Sequence, residues 1–164
     1  MMSSDRMMRD QLLALLQGGN AHMSFDQAVA DFPLAYFNRQ PPHVPYTPWH
    51  LLEHIRLAQW DILEFIRNPA HVSPDWPEGY WPAPDEPADE TRWQQTLTAF
   101  RADLEALQAL VMDPKTDLFT PIPHAPGYTI FREILVVADH NAYHIGEFAI
   151  LRQVMGTWPA NRGE

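Results

Sequence analysis

The chain has 164 residues, 46% of them hydrophobic and 20% charged, which suits one globular domain over 1–164 with a proper core and excludes wholesale disorder. It contains no cysteine, so disulfides, thiolate ligands and cysteine nucleophiles are excluded, and any metal must be held by nitrogen and oxygen. The formal charge is −10 and Lys115 is the one lysine, so the chain lacks the basic footprint of a nucleic-acid binder and leaves little room for Schiff-base chemistry.

Ser3 or Ser4 can cap a helix through Asp5–Gln17 that stops at Gly18-Gly19. Its apolar run LLALL follows mixed charge and precedes no small-residue cleavage site, so it reads as the first helix of a cytosolic protein and not as a signal peptide. No apolar run approaches the ~18 residues of a membrane span. Ser24-Phe25-Asp26-Gln27 has the form of a capping box and opens a short helix ending before Pro33. Pro33, Pro41, Pro42, Pro45 and Pro48 then block helix until Thr47-Pro48, a good N-cap and first-turn pair. The helix that follows runs to Arg67 with Leu51, Ile55, Ala58, Ile62 and Phe65 on its apolar face and His54 beside it.

From Asn68 to Pro87 the chain is rich in proline and aromatic residues, and Trp76, Tyr80 and Trp81 gain by packing, so a functional loop or cover is expected over the metal side of the bundle or at a dimer contact. Asp89 caps a helix over Glu90–Val111, with Trp93, Leu97, Phe100, Leu104 and Leu107 on one stripe. Met112–Gly127 reads as a second proline-rich loop, with at most a short extended piece at Leu118–Ile122. Thr129 caps the last helix, which ends near Gly156. Long amphipathic helices near 4–17, 48–67, 89–111 and 129–155 with little or no strand predict an all-α four-helix bundle with long proline- and aromatic-rich loops.

The last helix carries VVADHNAYHIGEFAILR, Val136–Arg152. His140 and His144 stand one helical turn apart, with Cβ atoms ~6 Å apart. They share the stripe of Ile130, Ile134, Val137, Phe148 and Leu151, so both point at other helices. A single inward histidine is commonly a core residue bonded to a carbonyl; a pair can hold a metal if another helix adds a ligand. His22, His43, His71 and His124 fall in loops or at helix edges, where a solvated imidazole is the default. His50 and His54 lie on the second long helix. His54 is deeper and borders the apolar face, whereas His50, in the first turn, reads as an exposed residue or pocket rim. His54, His140 and His144 therefore form the predicted metal site, open on one side to water or substrate. The string His50-Leu51-Leu52-Glu53-His54 also matches the inverted zincin pattern H-x-x-E-H, a peptidase reading that leaves the inward pair on the last helix unexplained.

The segments PWHLLEHIRLAQWDILEF and DHNAYHIGEFAILR, in this order on four helices, resemble the DinB-like superfamily of metal-binding bundles, which includes the YfiT-type hydrolases and thiol transferases. The resemblance runs from the first helix to about Gly156 and places its one-plus-two histidine ligands on His54, His140 and His144. Where the family motif continues as a basic residue, Gly, then Gln, this chain has Ile145-Gly146-Glu147. Glu147 is thus the candidate catalytic residue, as a proton acceptor or as hydrogen-bond partner of a ligand imidazole. Glu133 and Asp139 are weaker candidates.

The resemblance implies a divalent-metal enzyme, with zinc or nickel foremost, that hydrolyses a small-molecule substrate or transfers a low-molecular-weight thiol, and a homodimer as its assembly. The rival reading is a non-catalytic, stress-related metal-binding bundle working through dimer contacts.

Overall fold

The computed structural model describes residues 3–160. Five α-helices and a small hairpin succeed one another: α1 Ser4–Gln17, α2 Phe25–Val29, α3 Pro48–Arg67, α4 Glu90–Met112, β1 Pro121–Ile122, β2 Ala125–Thr129 and α5 Ile130–Met155. Single 3-10 turns occur at Leu34–Tyr36 and Glu78–Tyr80. The fold is all-α, a multi-helix bundle with a β-hairpin inserted before the last helix.

Each helix starts where its sequence supplies an acceptor for the free N–H groups of its first turn. Ser3 accepts from the Arg6 amide, Ser24 from Gln27, Thr47 from His50, Asp89 from Arg92 and Thr129 from Arg132. The capping box at Ser24 is complete in both directions. Gly156 ends α5 in the left-handed region at φ 62°, a conformation cheap for glycine alone.

Helix α3 packs on both α4 and α5, and α1 covers the same two helices near the far end. The core divides into two apolar clusters. One joins Trp49, Leu52 and Ile55 of α3 with Trp93 and Phe100 of α4 and Ile145, Phe148 and Leu151 of α5. The other joins Leu63 and Ile66 of α3 with Leu107 and Val111 of α4 and Ile134 and Val137 of α5. Early α3 meets late α5 and the reverse, so the two helices run antiparallel. The levels between the clusters hold His54, Gln59, His140, Asn141 and His144. Gln59 is fully buried; its amide donates to the Phe100 carbonyl at 2.7 Å and accepts from Asn141 at 2.9 Å. The bundle therefore has a polar waist.

One refinement of the sequence expectation concerns the second loop. The short extended piece expected at Leu118–Ile122 is present as β1, Pro121–Ile122, and it pairs antiparallel with β2 through Pro121↔Thr129 and Ile122↔Ala125, which folds Leu118, Ile122 and Ala125 onto the second cluster. Strand propensity here is weak and packing decides it. Two buried arginines tie elements distant in sequence together. Arg9 donates to the carbonyls of Val111, Asp113 and Thr116, satisfying the open end of α4. Arg152, fully buried, donates to Ala28, Ala30 and Thr157 carbonyls and lies 4.0 Å from the Trp158 ring.

Arg152→Ala leaves the buried Ala28 and Thr157 carbonyls without their donor, at about 1–3 kcal/mol each, and frees the Ala30 carbonyl, which belongs to an exposed residue. The expected result is a loss of roughly 2 kcal/mol or more, read from the urea midpoint. A change under about 0.5 kcal/mol, the level of an ordinary surface substitution, would contradict the clamp.

Candidate metal centre

His54 sits on α3 at 1% exposure, with Leu51, Ile55 and Ala58 buried around it. His140 and His144 lie one turn apart on α5 and are half-buried. The antiparallel packing of α3 on α5 brings the three imidazoles together. The Nε2 of His54 is 3.2 Å from the Nε2 of His140 and 3.2 Å from the Nε2 of His144. One ligand atom from each lies within 4.8 Å of the others, and among the described residues these three form the candidate group.

Proton positions follow from the partners behind each ring. The Nδ1 of His54 is 2.9 Å from the Tyr80 carbonyl, which only accepts, so Nδ1 carries the hydrogen. The Nδ1 of His144 is 2.7 Å from the Glu147 carboxylate, so it too donates. The Nδ1 of His140 is buried beside the Asn141 side chain and, among the described residues, makes no hydrogen bond of good geometry. In the neutral state, His54 and His144 thus face each other with Nε2 lone pairs, an arrangement that no hydrogen bond stabilises. Two nitrogens bound tetrahedrally to one zinc at about 2.0–2.1 Å stand about 3.3–3.4 Å apart. The observed 3.2 Å spacings match that demand. The donor set fits a divalent ion on three neutral imidazoles.

Burial and mutual proximity keep the rings neutral. Burial lowers the His54 pKa against the opposing pull of the Tyr80 carbonyl. Burial and then the His54 charge bring His140 down to about 4, and burial with both neighbours brings His144 down to about 3. Glu147 is pushed up by burial. One of its oxygens takes the His144 Nδ1–H and the other accepts from the Tyr46 hydroxyl.

The aromatic loop closes one side. The Trp81 indole lies flat on the His54 ring at 3.9 Å and 3°, and Tyr46 stacks on Trp81 at 5.2 Å. Tyr80 donates its hydroxyl to Asp61 at 2.6 Å. Trp76 does not join them over the site: it is 71% exposed and touches only the edge of this group, at Tyr80.

The remaining candidates are engaged elsewhere. His50 is buried, contrary to the exposed position expected of a first-turn residue, because its Nδ1 completes the α3 capping box with the Thr47 amide and its Nε2 donates to the Glu86 carbonyl at 3.1 Å. Both its nitrogens are used. Glu53 is bound by Arg56 and the Thr96 hydroxyl. The H-x-x-E-H string therefore does not assemble a zincin site. His71, expected in solvent, has its side chain 7% exposed against Asp61 at 2.7 Å. Glu133 is buried against Arg132, and Asp139 is exposed. Tyr46, Asp61 and the Tyr80 carbonyl were not legible as site residues, since none carries a motif.

Lowered histidine pKa values have a definite sign in stability. Below ~6.5 the unfolded chain protonates these rings while the folded chain does not, so stability falls as pH drops from about 6.5 toward 4. Urea titrations of the metal-free protein should show this slope, and His140→Ala/His144→Ala should flatten it. An equally steep slope in the double variant would contradict the burial argument.

The DinB superfamily model matches residues 7–148. Among curated proteins and among solved structures, nothing matches the chain. The matched span holds all three histidines, the whole of α3, α5 as far as Phe148 and the loop that covers His54, and on that evidence the chain belongs to the DinB superfamily.

Proposed function

We propose that this protein is a divalent-metal-dependent enzyme whose ion is held by the Nε2 atoms of His54, His140 and His144, with zinc or nickel the leading candidates. The convergence of those three nitrogens carries the reading: the His54 Nε2 stands 3.2 Å from each of the other two, and all three lie within 4.8 Å of one another. A closed structural site uses four protein ligands; three leave a position for water or substrate. When bound, such an ion supplies Lewis acidity, lowering the pKa of a water or activating a substrate thiol. The reaction class we assign from likeness to DinB/YfiT-type proteins is hydrolysis, or transfer of a low-molecular-weight thiol to an electrophile. A chain without cysteine would take that thiol from a cosubstrate.

The chain's own residues divide the remaining work. Glu147 holds His144 by its Nδ1–H and makes the opposite nitrogen a better donor, as carboxylates behind metal-bound histidines do. Tyr46 fixes the second carboxylate oxygen. Trp81 covers one face of His54, so substrate would approach from the α5 side, where Glu147 is the more exposed of the His144–Glu147 pair. A proton arriving from substrate on that side meets Glu147, whose affinity for it is raised by burial.

A non-catalytic bundle acting through dimer contacts has one observation in its favour. Val136, Tyr143 and Ile150 stand exposed at seven-residue intervals on α5, with Val154 beyond them. Sedimentation of wild type and Tyr143→Asp/Ile150→Asp tests the homodimer: it should dissociate in the variant.

The wild type should bind one zinc or nickel ion per chain by metal analysis of untagged protein. Each of His54→Ala, His140→Ala and His144→Ala should lose most of that binding while retaining helical circular dichroism, since the apolar clusters do not depend on the ion. His50→Ala should keep its metal. A screen of thiol cosubstrates and hydrolysable esters and amides then reads the reaction, with Glu147→Gln expected to lose turnover by tenfold or more even when the protein is fully loaded with metal. Triad variants that bind as the wild type does would overturn the metal site. A fully loaded protein inert to the screen and dimeric through α5 would favour the non-catalytic reading.

A further inference from the structure

The geometry points to Asp61 as a positioning residue for the metal ligand His54, acting through Tyr80, so that seating of the 68–87 loop and loading of the metal reinforce each other. This rests on the three-histidine metal reading.

Asp61 lies seven residues after His54 on α3, two turns along the same face. It is 8% exposed, and a buried carboxylate is costly unless donors meet it. Both donors come from the loop: the Tyr80 hydroxyl at 2.6 Å and the His71 Nε2 at 2.7 Å. Simple anchoring of a loop would explain that much. What goes further is the second attachment of the same residue. Tyr80 also gives its carbonyl to the His54 Nδ1–H at 2.9 Å, and the next residue lays its indole on the His54 ring. The backbone between anchor and ligand is stiff. Tyr80 closes the one-turn helix Glu78–Tyr80, and Gly79 passes Pro74 so closely that a Cβ would stand 2.6 Å from the proline side chain. Releasing the phenol therefore moves the carbonyl and the indole together.

The consequence falls on the tautomer of His54. With the Tyr80 carbonyl in place, the hydrogen is on Nδ1 and the Nε2 lone pair faces the other two histidines. Without it, a neutral imidazole can place the hydrogen on Nε2 instead, and that tautomer cannot ligate. Asp61 touches neither metal nor substrate; it selects which nitrogen of His54 is free. By linkage, a metal that needs this tautomer holds the loop down as strongly as the loop favours the metal.

Tyr80→Phe is the decisive variant, because it keeps ring and carbonyl and removes only the hydroxyl; Asp61→Ala supports it. Three measurements at pH 7 apply: ¹⁵N chemical shifts of the His54 ring in metal-free protein, zinc affinity by chelator competition, and proteolytic nicking within 68–87 with and without zinc. In the wild type, His54 should be the Nδ1–H tautomer, and zinc should slow nicking. In Tyr80→Phe the Nε2–H form should appear, zinc affinity should fall about tenfold, at the low end of losses for partners of metal ligands, and zinc should protect the loop less. Unchanged tautomer and affinity in a folded Tyr80→Phe protein would overturn the positioning role while leaving the metal site standing. A folded wild type that holds the Nδ1–H tautomer but binds no zinc would overturn the metal reading, and with it the coupling.

Discussion

Three imidazoles pressed into one level of a helical bundle set the terms for everything around them. Two protonated rings at 3.2 Å would repel by about 5 kcal/mol even at an effective dielectric of ~20, far more than the ~1 kcal/mol a hydrogen bond returns. The rings are therefore neutral. Neutral rings whose Nδ1–H groups point outward leave lone pairs pointing inward, and inward lone pairs at this spacing suit a cation. The Tyr80 carbonyl and the Glu147 carboxylate select that state from behind.

The rest of the fold is the scaffold this demands. Apolar clusters on either side of the polar waist fix the heights of α3 and α5, and the Gln59–Asn141 pair satisfies part of the waist that the histidines do not. The two ligands on α5 inherit their mutual geometry from a single helix. The third comes from a different helix, so its placement depends on packing, and it receives the most support: a carbonyl behind it, an indole over it and a buried carboxylate fastening both.

Buried arginines perform a related task at the ends of the bundle. Arg9 and Arg152 each gather three carbonyls left over where helices stop, turning free backbone acceptors into anchors between elements distant in sequence. A planar five-donor guanidinium suits this where a lysine would not.

Local rules made the helices legible from the sequence: Ser3, Ser24, Thr47, Asp89 and Thr129 each stand where a helix begins, and apolar spacing gave each helix its inward face. That same periodicity turned His140 and His144 inward and put His54 at the border of a core stripe, so the convergence of the three was legible too. What depended on residues far apart in the chain was not. The burial of His50 and His71, the partners Tyr46 and Asp61 and the carbonyl that Tyr80 gives to His54 all arise from contacts across 10 to 101 positions, which no short window of sequence records. Periodicity reports which way a side chain points from its own helix; only the packing of α3, α5 and the aromatic loop decides what it meets there.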